Sequence, residues 1–118
     1  LTLYVRYADS LPSDSLAPEY LFKAADISMY QSDDKRTITL LDRVITEYAD
    51  YEKASTCLFL KAFVYDTKVG DTAMAHKFYN EFIQQYPDND FTVDARSAIR
   101  NLGKPLDELI KEFELQNQ

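Results

Sequence analysis

A chain of 118 residues is long enough for one domain with a modest core. Hydrophobic residues at 46% and charged residues at 28% are ordinary for a folded protein, while two Gly and four Pro leave few chain breakers and favour helices over a many-stranded sheet. Thirteen Lys and Arg against twenty Asp and Glu give a net charge of −7, a field that repels phosphate backbones and anionic lipid, and the basic residues are scattered, which argues against a nucleic-acid binder.

The first expected element is a half-helix over 1–11, with Leu3, Tyr4, Tyr7, Ala8 and Leu11 as its apolar residues. It reads as the second half of a helical pair whose first half is missing, so either upstream residues complete it or its apolar edge is open to a second copy, which makes a homodimer one expected form. The start on Leu1 rather than Met points to an upstream segment that would have carried any leader or lipid-attachment cysteine. Helices are then expected near 16–31, 34–48, 53–68, 72–86, 91–102 and 105–116, with almost no strand. In "ITLLDRVITEY" the residues Ile38, Leu41, Val44, Ile45 and Tyr48 fall at helical spacing, as do Phe78, Tyr79, Phe82, Ile83 and Tyr86 in "AHKFYNEFIQQY". Asp33 and Asp34 are candidate caps for the second of these six helices; Gly70 ends the third in a left-handed conformation and Asp71 caps the fourth. "YPDND" at 86–90 stops a helix at Tyr86 and offers Asp90 as the next cap, while Gly103 is a stop and Pro105 suits a first helical turn.

These helices recur. "APEYLFKAAD" at 17–26 and "ASTCLFLKAF" at 54–63 share Ala, Leu-Phe and Ala at matching places, so that Ala17, Leu21, Phe22 and Ala25 map onto Ala54, Leu58, Phe59 and Ala62 by a shift of 37. Further on the shift is 38, taking Leu41 to Tyr79, Ile45 to Ile83 and Tyr48 to Tyr86; the extra residue is expected in the loop around "TKVGDT", where an insertion is cheap. A period of this length marks stacked helical hairpins.

The pattern resembles the tetratricopeptide repeat. Leu21, Ala24, Ala25, Leu41 and Val44 match in one unit and Leu58, Ala62, Tyr65, Ala75, Tyr79 and Pro87 in the next; Lys61 and Phe82 depart, Ala49 stands where Pro is usual, and the family's Trp and Gly are missing. The resemblance implies one all-α domain over 1–118: an α-solenoid, a right-handed superhelix of helix-turn-helix repeats, with units at 16–48 and 53–86 and a half unit plus capping helix at 91–116. Repeats ending in Tyr-Pro-Asp and followed by "NLGKPLDELIKEFE" also look like those of Gram-negative envelope proteins, such as lipoproteins associated with outer-membrane protein assembly or the Tol–Pal system. That likeness implies a periplasmic or outer-membrane-associated adaptor, membrane-bound only through an upstream lipid anchor; the lone cysteine fits a cytoplasmic protein as well.

In such a superhelix the first helix of each pair lines an inner surface. After core positions are assigned, Phe22, Asp26, Met29 and Tyr30 form one stripe and Phe59, Phe63 and Asp66 the next, with Phe22 expected beside Phe59, Asp26 beside Phe63, and Met29 and Tyr30 beside Asp66 and Thr67. Aromatic rings ringed by acids suit a partner's amphipathic helix or extended peptide with Lys or Arg neighbours. The plainer reading is that Phe22, Phe59 and Phe63 pack between repeats or under the last helix, where Leu106, Leu109, Ile110 and Phe113 form a stripe expected to cap the stack.

No enzyme chemistry is expected. His76 is the single histidine, without a metal or catalytic partner near it in sequence. "DND" at 88–90 lacks the Gly and Glu of a calcium loop, Cys57 reads as a packed thiol, and no phosphate loop or nucleophile elbow occurs, so neither a cofactor nor a metal is called for. The expected function is a non-enzymatic protein-binding adaptor or scaffold, the alternative a structural or homodimerising segment of a larger repeat array.

Overall fold

Two of the helices, Asp34–Glu47 and Thr72–Gln85, begin where an aspartate side chain takes up one of the first, unpaired backbone N–H groups. The computed structural model describes residues 2–104 and 106–117; the expectations for Pro105 and for the Leu106 side chain lie outside what is described. Seven α-helices follow one another: α1 Thr2–Ser10, α2 Ala17–Tyr30, α3 Asp34–Glu47, α4 Ala54–Val64, α5 Thr72–Gln85, α6 Thr92–Asn101 and α7 Leu106–Gln116. No strand occurs among the described residues, and no helix among them is long and apolar enough to cross a membrane.

Asp33 caps α3 by accepting from the Arg36 N–H at 3.2 Å, and Asp71 caps α5 by accepting from Met74 N–H at 3.1 Å. Asp34 lies inside the first turn of α3, where its charge faces the helix dipole favourably. Asp90 does not cap α6. Its neighbour Asn89 turns the chain instead, Oδ1 accepting from Phe91 N–H at 2.9 Å, and Thr92 donates its hydroxyl to the Tyr86 carbonyl at 2.6 Å. This Asx turn takes up the N–H of Phe91, the residue just before the helix, and so sets the path of the chain into α6 without a side-chain cap.

The repeat is visible in the backbone. Leu11 N–H donates to the Tyr7 carbonyl, Asp14 to Leu11 and Ala17 to Asp14. The same ladder recurs as Tyr48 to Val44, Tyr51 to Tyr48 and Ala54 to Tyr51, and again as Tyr86 to Phe82, Asn89 to Tyr86 and Thr92 to Asn89. Three identical turns, at the shifts of 37 and 38 read from the sequence, deliver α2, α4 and α6 in the same way. Asp14 makes the same Asx turn as Asn89, accepting from Leu16 N–H at 2.8 Å.

Consecutive helices pack on each other from α1 through α6, giving a body of 55 × 30 × 23 Å. Two clusters form the core. Ala17, Leu21, Ala25, Leu41, Val44 and Cys57 belong to the first, Leu58, Ala62, Ala75, Tyr79, Phe82 and Ala95 to the second. The equivalent Leu21 and Leu58 are both buried, each contributing about 1.5–3 kcal/mol. Lys61, which stands where the preceding unit has Ala24, lays its ammonium over the Phe78 ring at 3.8 Å and pairs with Asp42 at 2.6 Å, so its stem fills the space between α3, α4 and α5.

Three expectations are corrected. The extra residue of the second unit is not in a loop: it is absorbed in the helix, whose last turn, Tyr65–Val69, is a π turn continuous with α4 and closed by Gly70 at φ 76°. A widened turn accommodates one more residue without breaking the helix. At the other end, α7 does not cap the stack. It makes only slight contact with the helices before it, Leu109 is half-buried, and Ile110 and Phe113 are 48% and 67% exposed. The N-terminal edge is also smaller than expected. Ala8 is buried and the rings of Tyr4 and Tyr7 pack on Tyr20 at 5.3 and 4.6 Å, leaving Leu3 at 78% exposure and Leu11 open.

Phe82 is fully buried where Phe59 and Tyr86 meet it, whereas Ser28 buries a hydroxyl with no hydrogen-bond partner among the described residues. Urea unfolding is expected to show Phe82→Ala losing about 3–5 kcal/mol. Ser28→Ala is expected to be neutral or to gain up to about 1 kcal/mol, since it removes an unmet polar group and adds helix propensity.

Candidate functional site between α2 and α4

The end of α2 is shaped by a tight reversal. Asp33 N–H donates to the Ser28 carbonyl and Ser32 N–H to Met29, the two bonds of a Schellman motif, and Ser32 takes φ 59° in the left-handed region. It is the only non-glycine residue with positive φ among those described, in a place where glycine is usual. The end of α4 is widened by its π turn. Between these two ends lies a hollow of about 320 Å³ lined by Asp26, Met29, Tyr30, Ser32, Phe63 and Lys68.

Four of the seven residues expected to meet a partner therefore come together. Asp26, Met29, Tyr30 and Phe63 line one hollow, with Tyr30 86% exposed and Phe63 38%. Asp26 and Lys68 bring opposite charges to it, and neither makes an ion pair among the described residues. Such a surface can hold an apolar side chain between the rings while its charged rim orients a polar neighbour.

The other three residues are engaged in packing. Phe22 is half-buried against the first core cluster, with the Lys53 ammonium over its ring at 5.2 Å. Phe59 is half-buried in the second cluster, stacked on Phe91 at 5.0 Å and 19° and touching Tyr79 and Phe82 at 5.8 and 5.6 Å. For these two the plainer reading of the stripe describes their surroundings. Asp66 accepts from the buried Tyr79 hydroxyl at 3.1 Å and lines a separate depression with Thr67 and Gly70, so it does not stand beside Met29 and Tyr30.

Ser32 and Lys68 were not singled out by sequence reasoning. Ser32 sits where the next unit has Gly70 to end its helix, and that alignment across units is the signal that could have found it. Lys68 reaches the hollow from the π turn, which leaves no mark in residue spacing beyond the single-residue change of period.

At the opposite end of α2 from the hollow, its first turn is fastened to the turn before α4. The Tyr51 hydroxyl donates to Glu19, and Lys53 approaches the same carboxylate at 3.6 Å. The Tyr51 hydrogen bond, aided by Lys53 and Lys23, holds the Glu19 carboxyl below its ordinary range, and burial together with Glu19 pushes the Tyr51 phenol up. Cys57 is buried, and that burial pushes its thiol up to about 12. Among the described residues no group of three or more His, Cys, Asp or Glu could hold a metal ion.

Comparison of the chain with family models, with curated proteins and with solved structures gave no match in any of the three.

A carboxyl whose folded value lies below its unfolded one contributes stability above the unfolded value and loses it as pH falls through the folded one. The stability difference between the native chain and Glu19→Gln is thus expected to be largest near neutrality and to vanish under acid. Urea midpoints at a series of pH values below neutrality measure it; a difference independent of pH counts against the assignment.

Proposed function

We propose that the chain is a non-enzymatic adaptor, built as a tetratricopeptide-like solenoid, that holds a peptide or helix of a partner protein across the ends of α2 and α4. The observation that carries the reading is the hollow where Tyr30 and Phe63 stand open to water, lined with them by Met29, Asp26 and Lys68. Exposed rings in a concave, partly apolar setting are the usual anchors of protein recognition, and their burial supplies most of the affinity. The three identical turns support the solenoid form, because they repeat one geometry per unit as stacked hairpins require.

The charged pair at the rim sets the chemistry of the occupant. A segment with one apolar anchor and charges of both signs beside it fits Asp26 and Lys68 together better than a purely acidic or purely basic tail. The envelope likeness enters as the compartment in which that partner is sought.

Tyr30→Ala with Phe63→Ala is the direct test, since both side chains are exposed and their loss spares the core. Capture of the partner from envelope extract by immobilised protein is expected to fall by at least about tenfold, as loss of two anchors of 1–2 kcal/mol each implies. Phe22→Leu, which alters a packed residue, is expected to leave capture unchanged. Equal capture by the double variant and the native chain would place the binding surface elsewhere.

A further inference from the structure

Two of the three units close on themselves in the same way. Leu21 and Ala25 of α2 are buried in a cluster with Leu40, Leu41 and Val44 of α3, and Leu58 and Ala62 of α4 with Ala75, Phe78 and Tyr79 of α5. One further step of 38 lands on Arg96 and Arg100 of α6, and both are exposed. No helix among the described residues covers them. In its place a groove of about 570 Å³ runs between α5 and α6, lined by Asn80, Ile83, Val93, Arg96, Ile99 and Arg100.

α7 carries the pattern that this position asks for. Counting from the first residue of each helix, Thr37, Leu40 and Leu41 of α3 and Ala75, Phe78 and Tyr79 of α5 are the buried residues of the early turns. The same places of α7 hold Leu109, Glu112 and Phe113. Two keep an apolar side chain. The third is a carboxylate, the complement of arginines that stand where the earlier units have Leu and Ala. The rest of α7 agrees: Asp107, Glu108 and Glu114 against Lys111 alone make it acidic, while Arg96 and Arg100 make no ion pair among the described residues.

Yet α7 does not enter the groove of its own chain. Gly103 at φ 74° redirects the backbone, Lys104 N–H donates to the Asn101 carbonyl at 3.2 Å, and Lys104 Nζ pairs with Glu112 at 2.7 Å. This joint leaves Ile110, Phe113 and Leu115 exposed. We propose that the groove between α5 and α6 receives α7 of a second copy of this chain, and that the exchange, made in both directions, closes a two-fold dimer. Exchange of a terminal element between identical chains is a low-cost route to a dimer, because the contact is one the repeat already makes within itself. Each docked helix buries an apolar stripe now in water and brings Glu108 and Glu112 to Arg96 and Arg100.

Sedimentation of the full chain over about a hundredfold range of concentration tests it, since exchange is governed by mass action. The expected result is a rise to twice the chain mass. Ile110→Asp with Phe113→Asp, both exposed and so harmless to the fold, is expected to stay at the chain mass with an unchanged circular dichroism spectrum. So is Arg96→Glu with Arg100→Glu, and so is Glu108→Lys with Glu112→Lys; an equimolar mixture of these two charge-reversed chains is expected to recover the doubled mass. A native chain that keeps the single mass at every concentration overturns the proposal. So does a dimer that survives Ile110→Asp with Phe113→Asp, or a mixture that fails to pair.

Discussion

The structure depends on close approach between helices along a seam of small and branched residues. Ala17, Leu21 and Ala25 in α2, and Ala54, Leu58 and Ala62 in α4, are buried at corresponding places. An alanine at each end of the seam lets the neighbouring helix come near enough for the central leucine to be enclosed. Everything else follows from holding that spacing twice in the same register: the three alike turns, the alignment of α2 beside α4 and the fastening of Glu19 to Tyr51. Where the seam is interrupted, in α6, two arginines take the places of the leucine and the second alanine, and the stacking of helix on helix stops with it.

The candidate site is a by-product of how two equivalent helices end differently. α2 stops in a tight reversal through Ser32, in a conformation that costs an L-residue roughly 1–2 kcal/mol. α4 takes one more residue and spreads it over a π turn. Had both units ended alike, their last turns would be related by the same shift as the rest and would pack alike. The mismatch leaves space between them, and it places Lys68 opposite Asp26. The left-handed Ser32 on one side of the hollow and the widened turn on the other are both departures from a regular helix ending.

Much of this could be read from the residues. The helix limits follow Asp33, Asp71, Gly70 and Gly103, side chains and glycines whose preferences are local, and local rules survive folding. The buried Leu21 and Leu58 were legible because periodicity reports a shared face. What was not legible concerns side chains that could serve two neighbours. Phe22 and Phe59 stand at places that a groove and a core interface would both claim, and only the position of Lys53 and of Phe91 decides that they pack. The destination of α7 was misread for a related reason: an amphipathic stripe says that a surface is wanted, not which one. Asp90 lost its expected role to Asn89 because either residue can make the turn, and the backbone ladder fixes which of them faces the helix.

The sealed thiol of Cys57 has a consequence for where such a fold can work. A sulfur with its proton held to about 12 supplies almost no thiolate at neutral pH, and its burial keeps oxidants and other cysteines away. The chain therefore gains nothing from an oxidising environment and loses nothing in a reducing one. Its two core clusters are built from aliphatic and aromatic packing with the one thiol unpaired, so no redox-dependent bond holds them together.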